Sequence, residues 1–208
     1  MKKNILLLGS SSVSRQQLLT AAKIPFSVVP QSADETSCDW GLSLPQLVES
    51  IALHKMAHVI LPAGSYDGEQ CFVLTADTLT QDADGTIQGK PIDRADAIDK
   101  IKRARGGSVL FTSFCLDKRV YKQGSWAVEQ RIQKTVGAAF LFVIEDRWID
   151  YYLDNSIGLS TSNAIAIEGF GDQFLKKLTG SHSTVIGLPL FELRQALDEL
   201  GFFDSKQK

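Results

Sequence analysis

The chain has 208 residues, of which 44% are hydrophobic and 22% charged, and it carries a net charge of −2. Those values describe an ordinary globular protein with enough chain to bury a core, as one large domain or two small lobes. The near-neutral balance argues against a broad nucleic-acid or acidic-membrane surface, while leaving room for one small basic pocket.

Taken in order, Asn4 to Leu8 reads as a short strand without polar alternation, so it is expected to be buried on both faces. Its apolar run is too short for a signal-peptide core, and no later stretch reaches membrane-spanning length, so the expected location is the cytoplasm. Gly9-Ser10-Ser11-Ser12 then leads into a segment with Leu18, Leu19 and Ala22 at helical spacing. This is a strand, a loop of small hydroxyl residues and a helix N-terminus. Free backbone N–H groups and the helix dipole make such a terminus receptive to an anion. Ser10 and Ser12 add hydroxyls, and Arg15 adds a forked cation suited to phosphate. Serine is equally the usual helix N-cap, which is the plainer use of these residues. The loop is not GxxxxGK[ST].

Ile24 to Pro30 reads as a second strand between prolines, followed by the acidic stretch Asp34-Glu35. Leu44 to Val59 is expected to be helical. Within it, Lys55 sits among Ile51, Ala52, Met56 and Val59, where a snorkelling lysine is the ordinary expectation. His54 and His58 lack the HExxH pattern of a zinc helix.

Cys71 to Leu74 reads as a short buried strand, and Ala76-Asp77-Thr78 would put a carboxylate and a hydroxyl at its end. Open α/β sheets bind ligands at that edge. After a turn at Asp82 to Gly85, Gly89-Lys90-Pro91 is placed to fold back towards Asp77. One carboxylate beside one cation is a minimum for holding a metal-bound phosphate or activating a water. A turn aspartate with a solvated lysine is the plainer alternative.

Further on, helices are expected over Arg94 to Arg103, Glu145 to Leu153 and Leu190 to Leu200, the second burying Trp148 and Tyr152. Strands are expected over Ser108 to Leu116, within Val128 to Phe142, and as short pieces at Asn163 to Ile167 and Phe174 to Lys177. Asp204 to Lys208 reads as a disordered tail. Cys38, Cys71 and Cys115 are far apart and odd in number, which reads as reduced thiols.

The ordered set Gly9-Ser10, Ser12, Arg15, Asp34-Glu35, Lys55, Ala76-Asp77-Thr78, Gly89-Lys90-Pro91 and Val185 to Leu190 resembles the Maf family, from residue 4 to about 200. The resemblance implies a two-lobed α/β fold on a mixed sheet, related to the ITPase fold, with a cleft between the lobes. It implies hydrolysis of a nucleoside triphosphate to the monophosphate and pyrophosphate. Asp77 would be the base, and Lys55 and Lys90 would neutralise charge on the leaving group. Glu35 and Asp77 would hold Mg²⁺ or Mn²⁺. Ser10, Ser12 and Arg15 would cradle phosphates. The partners would be a nucleoside triphosphate and, in a homodimer, a second copy of the chain, with no nucleic acid or membrane. Two rivals stand beside it: an ITPase-like hydrolase of deaminated purine triphosphates, and a regulator that binds nucleotide without cleaving it.

The departures from that pattern are specific. Ser14 stands where an arginine is usual, Ser160 to Asn163 replace Asp-Lys-Ala-Gly, Glu168 replaces a glutamine, and a usual histidine is replaced near Ser108. Ser14, Thr78 and Glu168 match the family positions that set base choice. Thr78 resembles the branch acting on thymidine and uridine triphosphates, and Glu168 the branch acting on 7-methylguanosine triphosphate. A carboxylate only accepts hydrogen bonds, which matches the adjacent N1–H and N2 amino donors of guanine and opposes the carbonyls of uracil.

Overall fold

The structure, a computed structural model, describes residues 4–204; the expected tail beyond Asp204 lies outside the described residues. Seven strands form one mixed sheet in the order β2-β1-β3-β5-β6-β7, with β4 on the other part of β3. These are β1 (Leu6–Leu8), β2 (Phe26–Val28), β3 (Gln70–Asp82), β4 (Ile87–Gln88), β5 (Ser108–Lys122), β6 (Ser125–Phe142) and β7 (Leu175–Thr179). The first two pairings, β1 with β2 and with β3, are parallel, and the rest are antiparallel. The helices are α1 (Val13–Ala21), α2 (Leu44–Ala57), α3 (Arg94–Ala104), α4 (Asp146–Asn155), α5 (His182–Ile186) and α6 (Leu190–Glu199).

Strand alternation sorts β3 between two layers. Phe72, Leu74 and Ala76 pack with Leu6, Leu8, Leu19 of α1 and Leu193 and Leu197 of α6. Val73, Thr75, Asp77 and Leu79 face α2 instead: Val73 packs on Met56, Thr75 Oγ1 donates to the carbonyl of Ala52, and Leu79 joins Leu47 and Ile51. A separate core beyond the sheet's centre gathers Ala97, Ile101, Phe140, Phe142, Ile149, Tyr152 and Ile165 from α3, α4, β6 and the chain after α4. The long strands β3, β5 and β6 run between these cores.

Three expectations need correction. Asp77 does not end a short strand; β3 continues to Asp82 because its pairing with β5 runs on from Gln70 to Asp82. What ends is β1, whose last pair is Leu8 with Leu74. Asn163 to Ile167 is not a strand. Asn163 and Ala164 both have positive φ, 59° and 55°, which breaks an extended run, and Ser162–Ala164 forms a 3-10 turn. The apolar run there reflects burial on all sides, which a strand and a packed loop share. Trp148 is 41% exposed, since α4 buries Ile149, Tyr152 and Leu153, and Trp148 lies one residue off that stripe.

Candidate active site

The candidate site lies where β1 stops and β3 goes on. Gly9 N–H still donates to the carbonyl of Leu74 at 2.8 Å, and then the chain turns away through the serines into α1. A Cβ on Gly9 would lie 2.8 Å from Val59 Cγ2 and 2.9 Å from Thr75 Cγ2, so this close passage needs glycine. The loop thus sets the N-terminus of α1 beside this part of β3, where Arg15 reaches Thr78, at the carboxyl end of the parallel strands.

Asp77 and Thr78 are neighbours in a strand, so their side chains leave on opposite faces. On the α2 face, Lys55 Nζ lies 2.7 Å from Asp77 Oδ1 and 2.9 Å from Glu35 Oε1. Lys55 and Asp77 have side chains only 9% and 8% exposed, while Glu35 is 46% exposed. Lys55 therefore does not snorkel; it is a buried ammonium between two carboxylates. Glu35 is presented by the 3-10 turn Glu35–Ser37, capped by Asp34, whose carboxylate takes the N–H of Thr36 at 3.0 Å. That bond, with the hydroxyl of Thr36, holds the exposed Asp34 carboxyl below its usual range. Asp77 Oδ2 is buried and has no hydrogen-bond partner.

On the other face Arg15 is buried, and three of its N–H groups are used. Nε donates to the carbonyl of Gly187 at 2.8 Å, Nη1 to Ser10 Oγ at 3.1 Å, and Nη2 to Thr78 Oγ1 at 3.1 Å. Burial pushes the guanidinium's pKa down, against the pull of Asp77 and Glu35. Gly187, at φ 119°, ends α5 and turns its carbonyl to Arg15. Thr112, opposite Thr78 on β5, donates its one hydroxyl proton to the carbonyl of Thr184 at 2.8 Å. The 2.9 Å contact between Thr78 and Thr112 must then be donated by Thr78. The Thr78 hydroxyl is committed on both sides.

The remaining expected residues separate. Ser12 caps α1 by accepting from Arg15 N at 3.4 Å, the plainer role of such a serine. Ser10 Oγ accepts from Ser12 N and from Arg15, so its own proton is free to donate. Ser14 and Glu168, 154 residues apart, meet: Ser14 Oγ donates to Glu168 Oε1 at 3.0 Å. Lys90 is exposed and makes no ion pair among the described residues, so it does not fold back onto Asp77. Antiparallel β4 carries the chain along β3 to Gln88, level with Thr80, before Lys90 begins.

Sequence reasoning missed Thr112 and Thr184, and had Gly187 only as part of the motif Val185 to Leu190 without its role; all three act through Arg15 and Thr78. A pair 34 residues apart across two strands leaves no local pattern. It also left the thiols open: burial pushes Cys71 and Cys115 up to about 12, so neither offers a thiolate nucleophile at neutral pH.

The arrangement suits a divalent cation in part. Asp77 Oδ2 is an orphaned buried oxygen, and Glu35 supplies a second, exposed carboxylate, a donor set matching Mg²⁺ or Mn²⁺ when substrate phosphates and water complete the shell. No group of three or more His, Cys, Asp or Glu side chains poised for a metal occurs among the described residues.

A family model described as Maf-like protein matches residues 5–200. A protein of Trichormus variabilis named nucleoside triphosphate pyrophosphatase is 32% identical over 205 residues, covering 97% of this chain and 96% of its own. Proteins of Syntrophus aciditrophicus and of a Geobacter species, both named dTTP/UTP pyrophosphatase, are each 31% identical, covering 94% and 97% of this chain and 90% and 98% of their own. With a buried Asp77–Lys55 pair bridged to the half-exposed Glu35 beside a serine-rich helix N-terminus, and a match over nearly its whole length, the chain belongs to the Maf-like protein family.

Proposed function

We propose that this chain hydrolyses a nucleoside triphosphate between its α and β phosphates, giving the monophosphate and pyrophosphate. The observation that carries the reading is the buried Lys55 clamped by Asp77 and Glu35 at the open edge of β3, with an orphaned carboxylate oxygen on Asp77. The names of the full-length relatives support the same chemistry. Asp77 takes a proton from the attacking water as the oxygen bonds to the α phosphorus and the bond to the pyrophosphate oxygen breaks. Lys55 holds Asp77 in place through its 2.7 Å contact with Oδ1. The Ser10 hydroxyl and the first N–H groups of α1 bind phosphate oxygens, and Arg15 anchors the loop while offering its two unused N–H groups. Lys90, free of internal partners, meets the leaving pyrophosphate. A divalent cation, held by Glu35 and Asp77, would neutralise charge on the phosphates. The whole chain acts as one catalytic unit, in the cytoplasm.

Base choice falls to Ser14 and Glu168. The Thr78 hydroxyl gives its proton to Thr112 while accepting from Arg15, so it has no donor left for a base carbonyl. Glu168 Oε1 is fixed by Ser14, and its second oxygen takes no internal hydrogen bond among the described residues. A carboxylate here favours a guanine-type base, 7-methylated or not, over uracil or thymine, although two relatives are named for the latter pair. The test is kcat/KM for 7-methyl-GTP, GTP, UTP and dTTP with Mg²⁺ and Mn²⁺, following pyrophosphate. Wild type should prefer a guanine nucleotide, and Glu168→Gln should lose about 1–3 kcal/mol of that preference, by analogy with base-edge readout. A wild type that prefers UTP or dTTP, or an unchanged ranking in Glu168→Gln, sinks the assignment. Nucleotide binding without pyrophosphate release sinks the hydrolase reading itself.

A second copy of the chain belongs among its partners. The outer side of β6 pairs with β7 only over Ala139 to Phe142, which leaves residues 125–138 as an open edge able to add a strand. Sedimentation equilibrium should show a dimer in wild type. A wild type that stays monomeric at high concentration rejects the pairing.

A further inference from the structure

Asn163, one of the chain's departures from the family pattern, and Ser108, near another, meet at one buried carboxylate. Asp82 Oδ1 accepts from Ser108 Oγ at 3.0 Å and from Asn163 Nδ2 at 2.9 Å, and Oδ2 accepts from Gln88 Nε2 at 2.9 Å. Gln88 Oε1 in turn accepts from Lys100 Nζ at 3.0 Å. All five residues are buried, with Asn163 fully so. Asp82 forms no ion pair among the described residues; through Gln88 it connects to Lys100, whose ammonium lies 3.5 Å from Asp96 Oδ2.

This cluster holds a strained turn. Asn163 and Ala164 both stand in the left-handed region, where asparagine is tolerated and alanine is not favoured. Ser162 Oγ donates to the carbonyl of Gln88 at 2.6 Å, and Asn163 N–H to the carbonyl of Gly89 at 3.0 Å. On the far side, Tyr152 OH lies 3.2 Å from the carbonyl of Ala164 and takes the N–H of Ala166 at 2.7 Å. From this turn the chain runs buried to Glu168, which reaches Ser14. In the other direction Gln88 and Gly89 lead directly into Lys90. One carboxylate therefore lies between the segments that lead to Glu168 and to Lys90.

We infer that Asp82 is a positioning residue: through Asn163, Ser108 and Gln88 it sets where Glu168 stands against Ser14, and with it the selection of the base. The inference rests on the reading of Glu168 as the base-contacting residue. A neutral hub would leave the turn without its anchor while the strands around it persist. Exchange of residue types between the two positions should restore the anchor, because Asp is also tolerated at left-handed φ.

The experiment compares wild type, Asp82→Asn and the exchange variant Asp82→Asn/Asn163→Asp. Deuterium exchange at residues 162–168 should rise about tenfold in Asp82→Asn, with β1 and α1 unchanged. The ratio of kcat/KM between the best and worst nucleotides should fall about tenfold, through KM, as for one lost charged hydrogen bond. The exchange variant should recover both. Equal loss on every nucleotide, unchanged exchange at 162–168, or an exchange variant no better than Asp82→Asn overturns the inference. If wild type binds nucleotides without cleaving them, the hydrolase reading fails alone, and the same ratio is read from Kd by calorimetry. A wild type that binds all bases equally overturns the positioning role.

Discussion

Asp77→Asn should abolish turnover and leave the fold standing. The amide keeps the Oδ1 acceptor that meets Lys55 at 2.7 Å, so the ion pair becomes a charged hydrogen bond to a neutral group. What changes is the other oxygen. Oδ2 is buried with no partner, and the amide puts a donor where that acceptor was. A donor cannot take a proton from water or bind a cation. The loss in kcat should be on the order of 10²–10⁴, the range for removing a general base. Circular dichroism and the melting temperature should stay close to wild type, because the shape and the Lys55 contact are kept. A variant within about threefold of the wild-type kcat excludes Asp77 as the base, since even weak general-base catalysis exceeds that. A loss with a collapsed melting curve would instead assign Asp77 to stability.

How much of this was legible in the sequence follows from the range of each interaction. The helices α1, α2, α3, α4 and α6 announced themselves by local periodicity and were placed within a few residues. The grouping of Glu35, Lys55 and Asp77 was legible only as an ordered motif set; nothing in the spacing puts Lys55 between the two acids. That geometry needs α2 packed across β3, which Thr75 and Val73 arrange by facing Ala52 and Met56. Lys90 misled because a hairpin was assumed to return to its start, whereas β4 pairs only with residues 80–81 of β3. Asn163 misled in the opposite way. Its apolar neighbours suggested a strand, and the buried carboxylate that holds its turn lies 81 residues earlier in the chain. Arg15 was legible as a cation for phosphate. Its use as a bracket between Gly187, Ser10 and Thr78 was not, since two of those partners come from other parts of the chain.

Lys55→Met tests whether the clamp stabilises the protein as well as serving it. Methionine matches the aliphatic stem that packs in α2 but removes the ammonium. Asp77 would then be a buried carboxylate with neither oxygen partnered. Breaking a buried pair from one side costs about 3–5 kcal/mol, a large share of the roughly 5–15 kcal/mol that holds a domain together. The bridge to Glu35 adds little, since that carboxylate is nearly half exposed and water takes over its solvation. For a chain of this size the melting temperature should fall by roughly 10 °C. The companion variant Lys55→Met/Asp77→Asn removes the stranded charge as well. It should regain most of the lost stability and none of the activity, because the double change relieves desolvation without restoring a base. Urea denaturation of the four proteins of this cycle separates the terms. Equal stability of Lys55→Met and wild type would mean that water reaches Asp77 freely, and the buried clamp that supports the catalytic reading would be gone with it.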